Sequence, residues 1–449
     1  MPQALSFVPG LLRLAWPVAL ARLGIMGMGL VDVIVVGQLA PGELAHQALG
    51  WAPTGVMMVT GIGLLTGVQI LAARAIGEGN RTHAGGAWRR GMIVAGVAGL
   101  IAIAPIWIFG EHIFTVFGIA PELARPSADV ARVLSLSVPL HLFYCATAFF
   151  LEAIQRPMAS TIVMWGANIV NLVLNLWFVP LYGAEGSAWA TFGARVVLAG
   201  ALAAWIFAMP DGVNFGVRFK AQGPRFGSLL RVGAAAAVSQ MAEAGAFSAM
   251  TIIAGRIGET AVSAYQILLN VLAVVFMVAL GMSTATAVLT SEAVGRRSAG
   301  DAARASWTGL GLNTLFMGVL ALVVWIFAAA IARGYTSSLE VVALVAALMW
   351  IAAAVFVPDG GQVVAAQALR ARGDNWFPTA SHIVSYVVVM PPLAFYLGET
   401  LQMGVAGLML AIFWASVLSV GILTLRMWWI ARRGALPPAG ESVPVSMGH

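Results

Sequence analysis

Residues 47–73 read QALGWAPTGVMMVTGIGLLTGVQILAA, a run without a single charge. About 20 apolar residues suffice to cross the hydrocarbon core of a bilayer as a helix, the one open-ended structure that bonds all of its own backbone groups there. Seven further uncharged windows of similar reach lie at 91–110, 133–151, 157–184, 260–291, 305–332, 375–398 and 400–425. Four more are interrupted only by isolated charges: 11–37 (Arg22, Asp32), 184–209 (Glu185, Arg195), 226–255 (Arg231, Glu243) and 341–369 (Asp359). Composition agrees. Of 449 residues 60% are hydrophobic and 9% charged, against about 25% charged in an average soluble domain, which excludes a water-soluble globule. The fold expected is an all-α membrane protein with twelve transmembrane helices.

The distribution of arginine sets an orientation. Alternate connections carry Arg74, Arg81, Arg89 and Arg90; Arg156; Arg218, Lys220 and Arg225; Arg296, Arg297 and Arg304; Arg370 and Arg372; and Arg432 and Arg433. The opposite connections carry mainly glutamates. By the positive-inside rule both termini then face the cytoplasm, and the net charge of +6 reflects topology rather than nucleic-acid binding. Met1 to Arg22 lacks the pattern of a cleaved signal peptide, so the first helix is expected to remain as an anchor. One cysteine, Cys145, allows no intramolecular disulfide.

A constant offset in sequence position superposes Gly37, Gly63, Thr66, Leu71, Ala75 and Gly77 on Gly255, Gly281, Thr284, Leu289, Ala293 and Gly295, and Leu151-Glu152-Ala153 on Leu369-Arg370-Ala371. The register holds without a gap from the first of these positions to the last. An even number of spans per repeat gives both halves one orientation, related by an axis along the membrane normal. The domain organisation expected is a six-helix lobe at 1–209, a cytoplasmic linker at 210–225, a pseudo-symmetric six-helix lobe at 226–433 and a disordered tail at 434–449.

An ionised side chain at mid-bilayer costs at least about 2.5 kcal/mol on insertion scales, so one that is kept faces a cavity or a partner. Asp32, Glu243 and Asp359 are therefore candidate cation or proton sites. Asp32 also has Arg22 and Arg195 within the membrane as possible charge partners. Asn168, Asn171 and Asn175 share one face of the fifth span at i, i+3 and i+7, their amides suited to Na⁺, water or an interhelical bond, and Thr191 lies one turn before Arg195 in the sixth. The sequence contains no HExxH, no paired aspartates for diphosphate chemistry, no phosphate-binding glycine loop and no nucleophile elbow. These absences point away from an enzyme, from ATP-driven transport and from any cofactor.

Three stretches carry a family resemblance: PVALARLGIMGMGLVDVIVVG at Pro17–Gly37, Tyr265-Gln266-Ile267 through Asn270 to Gly281, and Asp359-Gly360-Gly361-Gln362 followed by Leu369-Arg370-Ala371-Arg372-Gly373-Asp374. In this order and half-repeat they resemble the multidrug and toxic compound extrusion (MATE) family, in its bacterial NorM-like and DinF-like branch, over essentially all twelve spans. The resemblance implies an inner-membrane antiporter that expels small organic cations or amphipathic drugs against inward Na⁺ or H⁺. Under it Asp32, Asn171, Asn175 and Thr191 form the first-lobe coupling set, and Glu243 and Asp359, with Tyr265 and Gln266, the second. Two positions depart from the family: Asn175 stands where relatives carry aspartate, and Arg22 where a glutamine is usual. A flippase for a lipid or an exporter of a narrow metabolite is the alternative within transport, and a channel or non-transporting scaffold the alternative outside it. The partners expected are the lipid bilayer, the drug and the coupling ion, with the chain working as a monomer.

Overall fold

The computed structural model describes residues 7–116, 119–217 and 223–437. Of the sequence expectations, the tail beyond Pro437 and the centre of the linker, with Arg218 and Lys220, lie outside the described residues. Within them the chain is helical and contains no strand. The first half holds α1 (Val8–Leu39), α2 (Leu44–Gly77), α3 (Arg81–Val116) and α4 (Pro121–Ala153), then a continuous stretch Met158–Ala208 that Gly183 breaks into α5 (158–182) and α6 (184–208). The second half holds α7 (Phe226–Ile257), α8 (Glu259–Gly295), α9 (Ala299–Ile326, followed by the short helix Ala328–Tyr335), α10 (Leu339–Ala371), α11 (Trp376–Thr400) and α12 (Val405–Arg433).

Ten of these stretches, α5 and α6 counted as one, are long and apolar enough to cross a membrane. Helix α7, with Arg231, Glu243 and Arg256, falls short of that apolarity. Large apolar side chains lie bare along the outer faces, Leu100, Ile101 and Ile108 of α3 each being at least 66% exposed. In water such a patch would aggregate; in a bilayer it is the face that lipid covers.

The repeat is written in the helix boundaries. The offset that carries Gly37 to Gly255 also carries both ends of Val8–Leu39 to those of Phe226–Ile257; the same step takes Pro121–Ala153 to Leu339–Ala371 and 158–182 to 376–400. Beyond that point the second half has a short insertion. Gly183 (φ 58°, ψ −134°) is answered by Gly404 (φ 56°, ψ −135°), a conformation essentially confined to glycine. At Gly183 the space a side chain would take is filled by the Glu43 carboxylate, whose Oε2 accepts from the Ala184 amide at 2.7 Å. That carboxylate caps the N-terminal end of α6, where unpaired N–H groups and the helix dipole favour an anion.

Helix α11 departs from α geometry. Ile383–Val389 and Tyr396–Thr400 widen into π turns on either side of Pro391-Pro392. Proline removes a donor and crowds the preceding turn, and an inserted residue relieves both.

Two compact units divide the chain elsewhere than at the linker. One is Leu20–Ala237; the other joins Val238–Pro437 to the chain before Leu20. The divisions fall inside α1 and inside α7, at positions that the repeat makes equivalent. In the first unit the early part of α7 packs on α2, where a Cβ on Gly63 would lie 2.6 Å from the Ala237 Cα. In the second the early part of α1 packs on α8, where a Cβ on Gly281 would lie 2.9 Å from the Ala19 Cβ. Small residues allow backbones to meet this closely within a membrane. Gly63→Val and Gly281→Val are expected to destabilise their units by about 1–3 kcal/mol through overpacking. Gly166→Ala, which meets nothing within 4 Å, should not; thermal unfolding in detergent checks all three.

Candidate functional site

Each unit encloses one set of polar and charged side chains. In the first, Asp32 on α1 is fully buried and every hydrogen-bond partner it has is neutral. Its Oδ1 accepts from Asn171 Nδ2 at 3.0 Å and Asn175 Nδ2 at 2.7 Å; its Oδ2 accepts from Thr191 Oγ1 at 2.6 Å. The i, i+4 spacing of Asn171 and Asn175 aims both amides from α5 at one oxygen, and the Gly183 break turns α6 back so that Thr191 reaches the other. Bonds to a charged group contribute about 1.5–3 kcal/mol each, enough in sum to offset much of the desolvation. Both asparagine Oδ1 atoms are buried without a hydrogen-bond partner, which leaves two oxygens next to a carboxylate. Asn168 bonds instead to the backbone carbonyls of Gly24 and Met164.

The arginines do not pair with Asp32, contrary to one sequence expectation. Arg22 Nη2 donates to Glu152 Oε1 at 3.2 Å, and its guanidinium lies over the Phe149 ring; Gln69 Nε2 donates to Glu152 Oε2 at 2.6 Å. Arg195 Nη1 donates to Ser137 Oγ at 2.6 Å and its guanidinium lies over the Trp51 ring, close enough for its charge to act on Asp32 through space. Desolvation favours this division, because Arg22 is matched by the one carboxylate that reaches it from α4.

In the second unit Asp359 on α10 is 3% exposed. Its Oδ1 accepts from Tyr386 OH at 3.0 Å, carried by the first π turn of α11, and from Ser416 Oγ on α12 at 3.2 Å. Half-buried Glu243 on α7 accepts only a long bond, 3.4 Å, from Gln362 Nε2, and the Gln362 Oε1 is buried without a partner. The charges of Glu243 and Asp359 act on one another. Tyr265 and Gln266 are placed differently: the Tyr265 hydroxyl is buried without a partner, and Gln266 donates to Thr251 Oγ1. Neither bonds to Glu243 or Asp359.

Sequence reasoning missed Glu152, Gln69, Tyr386 and Ser416. Glu152 had a signal: the repeat sets it against Arg370 inside a motif whose neighbours are identical, and sets Arg22 against Gln240. Two departures from one repeat, each changing a charge, mark a pair. Tyr386 had none, since its approach to Asp359 depends on the π turn.

These features define a class, a helical membrane protein of duplicated six-helix halves with a buried carboxylate set in each. The sequence matches the MatE family over residues 17–177 and 235–396, two blocks whose starts are equivalent under the repeat, and the chain belongs to that family. It is 40% identical to a "Probable multidrug resistance protein NorM" of Caulobacter vibrioides over 95% of this chain and 93% of that one. A protein of the same name from Rhodopseudomonas palustris is 30% identical, over 94% and 91%. Among solved structures, the outward-facing conformation of a multidrug resistance MATE family transporter superposes with a TM-score of 0.87 at 19% identity, covering 95% of this chain and 96% of that one. A MOP superfamily transporter from Pyrococcus furiosus superposes with a TM-score of 0.86 at 19% identity, with coverage of 95% and 96%. At that identity the likeness establishes the fold.

The Arg22–Glu152 pair is directly testable. Removing one partner leaves a buried charge uncompensated and is expected to cost about 3 kcal/mol or more. Arg22→Gln and Glu152→Gln should each lower the unfolding midpoint, and the double variant should lose less than their sum. Simple additivity in detergent melts would show that the two residues are not coupled.

Proposed function

We propose that this protein is a cation-coupled exporter of the bacterial inner membrane, expelling small organic cations or amphipathic drugs by alternating access in exchange for Na⁺ or H⁺. Both termini lie in the cytoplasm and one chain suffices. Family membership and the names carried by its relatives support export; a difference in charge between the two buried sets supports coupling. The first set balances: Asp32 and Glu152 are matched by Arg22 and Arg195. The second does not, since a guanidinium, that of Arg370, acts on Glu243 and none acts on Asp359. An unbalanced carboxylate inside a membrane protein is expensive, and one bound cation removes the imbalance.

Within that reading Glu243 and Asp359 hold the incoming cation, and the free Gln362 Oε1 offers it a further oxygen. Tyr386 and Ser416 fix the orientation of Asp359 by donating to it. Carboxylate and amide oxygens suit Na⁺ as hard ligands, and either carboxylate alone suits a proton. Asp32 with its neutral donors is a separate acid in the first unit, whose titration or occupancy by a substrate cation biases that unit. Coupling follows if cation binding and drug binding favour opposite facings.

Ethidium efflux from proteoliposomes, driven separately by an inward Na⁺ gradient and an inward pH gradient, tests this. Wild type should export under at least one gradient, and Glu243→Gln and Asp359→Asn should fall to the leak of empty liposomes. Loss confined to Asp32→Asn would move coupling to the first unit. No gradient-driven efflux from folded wild type, with ethidium or other cationic dyes, would overturn the reading.

A further inference from the structure

The two halves carry the same kind of charge pair on equivalent helices with opposite polarity. In the first, the base is on the opening helix of the repeat and the acid at the end of its fourth: Arg22 on α1, Glu152 on α4. In the second, the acid is on the opening helix and the base at the end of the fourth: Glu243 on α7, Arg370 on α10. Arg370 is the repeat equivalent of Glu152. Glu243 lies one turn past Gln240, the repeat equivalent of Arg22.

One pair is closed and the other open. Arg22 and Glu152 meet at 3.2 Å, and Gln69 completes the carboxylate. Arg370 is 4% exposed, yet its Nε and Nη2 atoms have no hydrogen-bond partner. Among the described residues no carboxylate lies within ion-pair distance of it, although Glu243 is near enough for the charges to attract. Nε and Nη2 form the edge of a guanidinium that receives a carboxylate in two parallel bonds. Leaving such donors dry costs more than the bonds themselves contribute. Glu243, for its part, has only the 3.4 Å bond from Gln362. An unfilled bidentate edge and a loosely held acid therefore sit within one unit, joined by attraction and not by contact.

We infer that Arg370 is the internal counter-ion that takes the place of the coupling cation: Glu243 closes onto the Nε–Nη2 edge of Arg370 when the site is vacant, and is drawn away from it when a cation binds between Glu243 and Asp359. This rests on the coupling reading above and adds the element that ejects the ion. A carboxylate pair with no competitor would bind its cation and keep it. Competition from a tethered guanidinium weakens cation binding by a set amount, and after release it leaves Glu243 paired and only Asp359, held by Tyr386 and Ser416, without a counter-charge. The first unit has no such exchange, because Glu152 is already satisfied by Arg22 and Gln69. The charged and titratable groups around Glu243 and Arg370 are Asp359 on α10 and Tyr386 and His382 on α11. His382 Nδ1 is bonded to Ser239 Oγ of α7 at 2.6 Å.

The test compares wild type, Arg370→Gln and Arg370→Lys in the same ethidium assay, reading the external Na⁺ or H⁺ concentration for half-maximal drive and the maximal rate. Without its competitor the cation should bind more tightly. Arg370→Gln is expected to reach half-maximal drive at a concentration about tenfold lower or less, the scale on which one neighbouring charge alters a carboxylate's affinity, and to turn over more slowly because release is impaired. Arg370→Lys, which keeps the charge, should stay near wild type. A purely structural arginine would leave the half-maximal concentration unchanged in Arg370→Gln, and that result overturns the inference. Should Arg370→Gln fail to fold, the exchange variant Glu243→Arg/Arg370→Glu, which copies the polarity of the first half, is expected to restore folded protein without cation-dependent drive; failure to restore it counts against the pair. Wild type without any cation-driven efflux removes the coupling reading itself, an outcome distinct from an unchanged Arg370→Gln.

Discussion

An ionised carboxylate in hydrocarbon survives only where the protein supplies what water would have supplied, and much of this molecule follows from that demand. Asp32 obtains three donors from two helices. For those donors to converge, α5 must present Asn171 and Asn175 on one face, and α6 must double back within a turn of leaving α5. The reversal requires glycine at 183, and the freed end of α6 requires a cap, which Glu43 provides from the α1–α2 connection. Remove the acid and the amides, the glycine and the glutamate lose their common reason.

The two halves share a backbone and divide the chemistry. Under the repeat, Asp32, Asn171 and Asn175 correspond to Met250, Val389 and Leu393, and His141 corresponds to Asp359. Met250 belongs to the apolar core of the second unit, and partly buried Leu393 packs against it. At three of these four positions the first half is polar where the second is apolar; only His141 and Asp359 are polar in both. Duplication has thus supplied two copies of one scaffold, and substitution has moved the carboxylates to different helix positions and different neighbours.

The helices were legible because hydrocarbon imposes a pattern that survives any detail of packing: length without charge, arginine at alternate ends, small residues in register. The repeat was legible for the same reason, down to a constant offset that the helix ends keep. The buried carboxylates were legible because they violate the pattern. What they touch was less so. Asparagine spacing pointed from α5 to one face, and that face meets Asp32. Helical spacing alone does not show that Arg22 reaches across to Glu152 rather than along its own helix to Asp32; the only sequence sign of that choice is the paired departure of the two residues from the repeat. Tyr386 was hidden because π turns shift the facing of every residue after them, and α-helical spacing is the wrong ruler for that segment.

The passage of α1 and α7 from one compact unit to the other has a consequence for how the protein is made. The first unit is unfinished when the ribosome reaches the end of the sixth helix, for its packing around Gly63 and Gly67 is completed by residues up to Ala237. The second unit, in turn, uses a segment synthesised long before the rest of it, which must wait for α8 before it finds its place against Gly281. Neither half of the gene therefore encodes a self-sufficient half of the protein. After the ancestral duplication the two copies became obligate companions during biogenesis, whatever independence their buried sites retained.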